Sequence, residues 1–244
     1  MALVFTANGQ TYTLDDVAPY DPFTYRVILD YAVGEVTFNN STGSGPPSYP
    51  VNPVSLKTTE LTLGDLSTLE VFDICAEMFD GPTGSSIYQV SSGFGGLDPT
   101  QSFTARLLFS NTIPDFVFAR DNLSYDDAAT IGAAIQMAYW EIVEDSLGTT
   151  TPSLDENNAF SGELEVDGYG ASYSGTTDDA ILLAESYLTN IRNSSWGDQG
   201  GLYYFHAGTA TEQDRLWISL LPIPEPSAIL LGLAGGMLLL LRRR

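Results

Sequence analysis

The stretch DDAATIGAAIQMAYWEIVED, Asp126–Asp145, decides how the fold is read. It is twenty residues without proline, it opens on two acids that suit the positive end of a helix, and Ser124 stands just before it as an N-cap. On a helical wheel its apolar residues form one broad arc, and Gln136 falls inside that arc. Gly132, Trp140 and Val143 lie within about 40° of Gln136, with Ala129 close by and Tyr139, Ala133 and Ala128 slightly further out. Ile131, Ile135 and Ile142 extend the arc, whereas Asp127, Glu141 and Asp145 gather on the opposite, polar face. A buried carboxamide left unpaired costs about 1–3 kcal/mol. Gln136 therefore needs either a hydrogen-bonding partner or a reaction, and Gly132, one turn earlier, leaves room for something to approach.

A second helix follows at Thr177–Arg192 (TDDAILLAESYLTNIR), with the same acidic opening and Thr177 as its expected cap. Before the first helix the chain reads as β. Thr24–Tyr31, Glu35–Asn39 and Ser55–Leu63 are rich in β-branched and aromatic residues, and turn-forming stretches such as Ser41–Ser48 separate them. Leu69–Phe79 reads as a further strand ending in a helical turn. Gly81–Gly96 reads as a loop with a short strand near Ile87–Val90. Between the helices, Gly148–Gly175 is polar and glycine-rich, which predicts a long excursion holding a short strand pair. Asn193–Gly201 reads as a loop, and Leu202–His206 and Arg215–Leu220 as the last strands. The expected fold class is α+β: one domain over residues 1–221, mainly antiparallel β with an inserted pair of helices near 126–145 and 177–192.

The chain of 244 residues carries 31 acidic and 9 basic residues, a net charge of −22. Such a surface is repelled by nucleic acid and by anionic lipid headgroups, so nucleic acid is excluded as a partner. A single cysteine rules out an internal disulfide framework, and with one histidine it makes no zinc site of the usual kinds. No stretch matches the D-x-[DN]-x-[DN]-G calcium loop, so structural calcium has no motif to support it and no cofactor is expected.

Residues 222–244 have a different character. Pro224, Glu225, Pro226 and Ser227 precede fourteen apolar residues, 228–241, and Arg242, Arg243 and Arg244 close the sequence. The prolines hold the approach extended, the apolar run can enter a bilayer, and the arginines stay on the cytoplasmic side. At fourteen residues the run is shorter than the roughly 20 of a comfortable span. This order resembles the PEP-CTERM sorting signals of Gram-negative bacterial surface proteins. The resemblance implies a short transmembrane sorting helix at 228–241, handling by an exosortase-type membrane enzyme, cleavage near Pro224–Pro226, and release to the cell surface or extracellular matrix after a transient stay in the inner membrane. Loss of the three arginines would leave six basic residues against 31 acidic ones, near −25. A plain C-terminal anchor and a buried core helix are the alternatives. The opening MALVFTANGQTYTL has neither a basic n-region nor an h-region, so the expected export signal lies upstream of Met1.

A lone cysteine in an oxidising compartment is a chemical liability. Cys75, in VFDICAEM, ends a strongly β segment. A Cys thiolate can attack a glutamine carboxamide and expel ammonia, which accounts for the lone thiol and the buried amide together. The residues around the two are similar to the motifs of Cys-Gln thioester-forming bacterial surface domains. One match is Ile74-Cys75-Ala76-Glu77, with Glu77 where an apolar residue is expected. The other is Ile135-Gln136-Met137-Ala138-Tyr139-Trp140, continuing Glu141-Ile142. The resemblance implies an internal Cys75–Gln136 thioester that reacts once with an amine or hydroxyl of a protein or polysaccharide target, in a covalent adhesin or matrix cross-linker rather than an enzyme. Tyr139, Trp140 and Phe79 are the expected apolar cover, and His206, the only imidazole, is a candidate base for the incoming nucleophile beside an ordinary structural role. Two other readings stand next to it. One is a non-covalent structural or carbohydrate-binding surface protein with Gln136 merely hydrogen-bonded and Cys75 a small apolar residue. The other is a hydrolase using Glu141 and Glu144, which the wheel sets on the polar face and at its margin.

Overall fold

The computed structural model describes residues 4–7, 10–11, 24–40, 48–62, 68–76, 89–144, 154, 164–167, 175–208 and 214–221. The sorting-signal residues Pro224–Ser227, the apolar run 228–241, Arg242–Arg244 and Phe79 lie outside them. Among the described residues no helix is long and apolar enough to cross a membrane.

The strands are β1 (Val4–Ala7), β2 (Gln10–Thr11), β3 (Thr24–Val33), β4 (Val36–Asn40), β5 (Ser48–Val51), β6 (Val54–Thr62), β7 (Thr68–Cys75), β8 (Gln89–Ser92), β9 (Leu164–Val166), β10 (Tyr203–Gly208) and β11 (Arg215–Ser219). The helices are α1 (Pro99–Asn122), α2 (Tyr125–Glu144) and α3 (Thr176–Arg192). Eight strands form one sheet in the order β2-β1-β8-β10-β11-β7-β6-β3, and β5-β4-β9 form a second. Every pairing is antiparallel except β1 with β8. The fold is α+β, mostly antiparallel sheet.

Successive residues of a strand face opposite sides of a sheet, and directly paired residues share a side. Phe72 and Ile74 of β7, Leu216 and Ile218 of β11, and Tyr31, Val33, Val54 and Leu56 of β3 and β6 belong to the main core with the helices. Phe116 of α1 meets Tyr31 and Phe72 edge-on at 5.2 and 5.7 Å between ring centres. Leu61, Leu69, Val71 and Trp217 are buried outside that main cluster, on the other side of the sheet.

Among the described residues the expected helix pair is present as α2 and α3, and a further helix, α1, precedes it. The sequence pattern does not predict α1, because Ser110, Asn111, Thr112 and an interior Pro114 break its apolar periodicity. Its start is nonetheless well specified. Asp98 caps it, accepting from Thr100 N and Gln101 N at 2.6 and 2.9 Å, while the Gln101 side chain accepts from Asp98 N at 3.1 Å. Gln101 Nε2 also donates to Val143 O at 2.9 Å and ties this start to the end of α2.

α2 begins as the sequence predicts. Ser124 Oγ accepts from Asp127 N at 3.1 Å, and the Asp127 carboxylate accepts from Ser124 N at 3.1 Å. The expected cap of α3 is corrected. Gly175 holds that position at φ 63°, and Thr177 lies inside the helix with its hydroxyl accepting from Gly34 N at 3.2 Å. A further correction concerns Glu141, which is fully buried rather than on a solvated face. The second sheet covers that side of α2: Phe38 of β4 packs edge-on against Trp140, and Leu164 N of β9 donates to Glu141 Oε2 at 3.1 Å.

Gly132 sets how closely α2 approaches the large sheet. A Cβ there would lie 3.0 Å from Leu56 Cβ, 3.2 Å from Phe116 Cε2 and 3.6 Å from Tyr31 O. The space left by Gly132 is thus taken up by the sheet itself and by α1, and Gln136, one turn on, is carried to the end of β7.

Candidate functional site

The β6–β7 ladder ends at the pair Lys57–Asp73. The next residue of β7 whose N–H and C=O point to that edge is Cys75. Ala76 N donates to Asp214 O at 2.8 Å, on the β11 side, so the N–H and C=O of Cys75 point the other way, where β6 no longer pairs. Gln136 fills the position. Its Oε1 accepts from Cys75 N at 2.9 Å and its Nε2 donates to Cys75 O at 2.9 Å. Trp140, one turn further along α2, donates from Nε1 to the same carbonyl at 3.0 Å. The carboxamide occupies both backbone hydrogen-bonding groups of Cys75, as the peptide of a neighbouring strand would.

The expected pair Cys75 and Gln136 is therefore brought together by two reciprocal hydrogen bonds, on residues 61 apart in sequence. Gln136 is fully buried, and Cys75 is half-buried at the margin of the main core. Trp140 takes part directly. Tyr139 is turned to Phe109, 5.2 Å between ring centres, and supports the core behind the helix.

By strand alternation the Cys75 side chain projects to the same side as Asp73. Arg215, paired with Cys75 across the β7–β11 ladder, lies there too. Its Nη1 is 2.7 Å from Cys75 Sγ, while Nε and Nη2 donate to Asp73 Oδ1 and Oδ2 at 2.9 and 3.0 Å. Thr59 Oγ1 adds a bond to Asp73 Oδ2 at 3.4 Å. Burial pushes the Cys75 thiol above its ordinary pKa, and the Arg215 guanidinium is the largest influence pulling it back down. Arg215 and Asp73 were not singled out from the sequence. The available signal is period two in LEVFDIC, which sets Asp73 and Cys75 on one side of the strand together with the apolar Leu69 and Val71.

His206 is not part of this group. The register sets it level with Leu216 and Ile74, on the core side of the sheet and away from the side to which Cys75 projects. Its Nε2 lies 3.0 Å from Asp214 Oδ2. Its ring packs against Gly95 so closely that a Cβ there would come within 2.5 Å, at a backbone φ of +69° that also favours glycine. Glu141 is tied to β9 through Leu164 N, and Glu144 is the last residue of α2. Among the described residues no cluster of His, Cys, Asp and Glu could hold a metal ion.

A separate cleft of about 320 Å³ opens where Arg106 of α1 faces Asp198, Tyr203 and Tyr204. Compared with protein-family models, curated proteins and solved structures, the chain matches none.

Proposed function

We propose that this is an exported surface protein that couples covalently to its target through a Cys75–Gln136 thioester, carrying a C-terminal PEP-CTERM-type sorting signal. The observation that supports this reading is the docking of the buried Gln136 carboxamide on the backbone of the sole cysteine. Sγ turns toward Gln136 and attacks Cδ. The Sγ–Cδ bond forms, the Cδ–Nε2 bond breaks, and ammonia leaves with the thiol proton. Cys75 N–H, 2.9 Å from Oε1, is already placed where negative charge develops in the tetrahedral intermediate. The Cys75 carbonyl holds Nε2, and Trp140 holds that carbonyl in turn. Attack by a target amine or hydroxyl on Cδ then gives an amide or ester and returns the sulfur to Cys75. Each molecule reacts once, so the activity is stoichiometric and not enzymatic. The reaction assigns no step to His206. The target is an amine- or hydroxyl-bearing protein or polysaccharide outside the cell, and the processing enzyme is of the exosortase type.

Methylamine tests the reading. A thioester-bearing chain takes up methylamine at Gln136 and exposes the Cys75 thiol in the same step, and Cys75→Ala abolishes the uptake. Uptake by Cys75→Ala at the wild-type rate would rule the thioester out.

The same hydrogen bonds favour a second reading, because they satisfy the Gln136 amide without any reaction. Gln136 would then close the free end of β7 permanently in a non-covalent structural or carbohydrate-binding surface protein, with the Arg106–Tyr203 cleft as its recognition surface. Aromatic faces beside charged groups suit a sugar ring. This reading predicts no methylamine uptake.

A further inference from the structure

We propose that Arg215 is a catalytic residue of the Cys75–Gln136 reaction, holding the sulfur as an anion both when the thioester forms and when a target displaces it. The proposal rests on the covalent reading above. Arg215 touches the reacting atom, with Nη1 2.7 Å from Sγ, and its orientation is fixed by its other two donors. Nε and Nη2 form a two-pronged bond to Asp73, whose side chain is 2% exposed. A guanidinium clamped along one edge cannot swing away, which suits Arg better than Lys for the task.

The pair is the end of a longer row. Asp30 of β3 lies opposite Lys57 of β6, their charged groups 3.7 Å apart, and Lys57 lies opposite Asp73. Charges alternate across four strands, Asp30, Lys57, Asp73, Arg215, and the next group in the row is the Cys75 sulfur. The charged groups acting on the thiol are these four: Arg215 and Lys57 favour the thiolate, Asp73 and Asp30 oppose it, and Arg215 acts most strongly. The row is needed because burial works against ionisation.

In the forming step the thiolate attacks Gln136 Cδ, and the proton given up by the thiol leaves with the expelled ammonia. In the coupling step the target N–H or O–H attacks Cδ, the Cδ–Sγ bond breaks, the electron pair stays on sulfur beside Arg215, and the target's proton passes to water. No oxidant or cofactor enters either step.

Two variants remove the cation: Arg215→Met, and the paired Asp73→Asn with Arg215→Gln, which leaves no unpartnered buried charge if the first fails to fold. Two measurements are made on full-length chains. On a Gln136→Ala background, where no acyl group exists, the rate of iodoacetamide alkylation of Cys75 is followed against pH. Arg215→Met should move that profile up by about 1–3 pH units, and the paired variant should move it up by less, because Asp73→Asn also removes a charge that opposes the thiolate. With Gln136 present, methylamine opening should slow by about tenfold or more, since the departing sulfur loses its counter-charge. Arg215→Lys should recover part of both. If the wild type opens with methylamine while the variants open at its rate with an unmoved alkylation profile, Arg215 has no catalytic role and the thioester stands. If the wild type never carries the thioester, the covalent reading fails and this proposal with it, whatever the alkylation profile.

Discussion

Replacing Gly132 by alanine sets two effects of known size against each other. Alanine is the better helix former, and in an exposed helix the change would stabilise by about 0.8–1.0 kcal/mol. Here the added Cβ meets Leu56 Cβ at 3.0 Å and Phe116 Cε2 at 3.2 Å. Leu56 Cβ is fixed to the backbone of β6, which is paired with β3 at that residue, and cannot rotate away. The Phe116 ring is held between Tyr31 and Phe72. Overpacking of this kind costs about 1–3 kcal/mol. The crowding therefore wins, with a net loss of about 1 kcal/mol and a fall in Tm of about 2–4 °C for a domain of this size. The strain is relieved by lifting α2, which lengthens the 2.9 Å bonds that seat the unreacted Gln136 amide on Cys75 and, on the proposed covalent reading, lowers the fraction of chains in which the thioester forms. Scanning calorimetry and intact mass on the same samples check both effects. A variant that melts higher than the wild type with an undiminished thioester fraction would refute the account of why α2 approaches the sheet at Gly132.

Trp140→Phe keeps the aromatic bulk against Phe38 and removes one donor to Cys75 O. On a Cys75→Ala background Gln136 keeps its amide and that carbonyl still accepts from it, so urea unfolding should show a loss of about 0.5–1.5 kcal/mol, and an unchanged midpoint would deny Trp140 any part in holding that carbonyl. Burial raises the Tyr187 and Tyr204 hydroxyls above the ordinary tyrosine value of 10.0. Below that value both folded and unfolded chains keep these protons. Above it the unfolded chain loses them first, so stability is full below about pH 10 and declines as pH rises further. Urea midpoints compared at about pH 8 and about pH 11 should show that decline, and equal midpoints would contradict the buried positions of the two rings.

The site was legible where one element carried the signal by itself. A carboxamide within the apolar arc of Asp126–Asp145 is a local anomaly, and a lone thiol at the end of a β segment is another. The structure joins the two through the Cys75 backbone. Local pattern misleads where a second element decides the outcome. A helical wheel contains α2 alone and sets Glu141 toward solvent, whereas β9 covers that face and uses the carboxylate as partner for Leu164 N. α1 hid because it is buried on more than one side, so no clean stripe survives, and Pro114 reads as a helix breaker. Arg215 joins Asp73 and Cys75 only through pairing over 140 positions, which no local pattern carries.

The most direct test is the intact mass of the wild-type chain purified without added amines, read beside Cys75→Ala and Gln136→Ala. The account predicts that the wild type alone weighs one ammonia less than its sequence demands. A wild-type mass equal to the sequence mass, with a freely titratable Cys75 thiol, would contradict it.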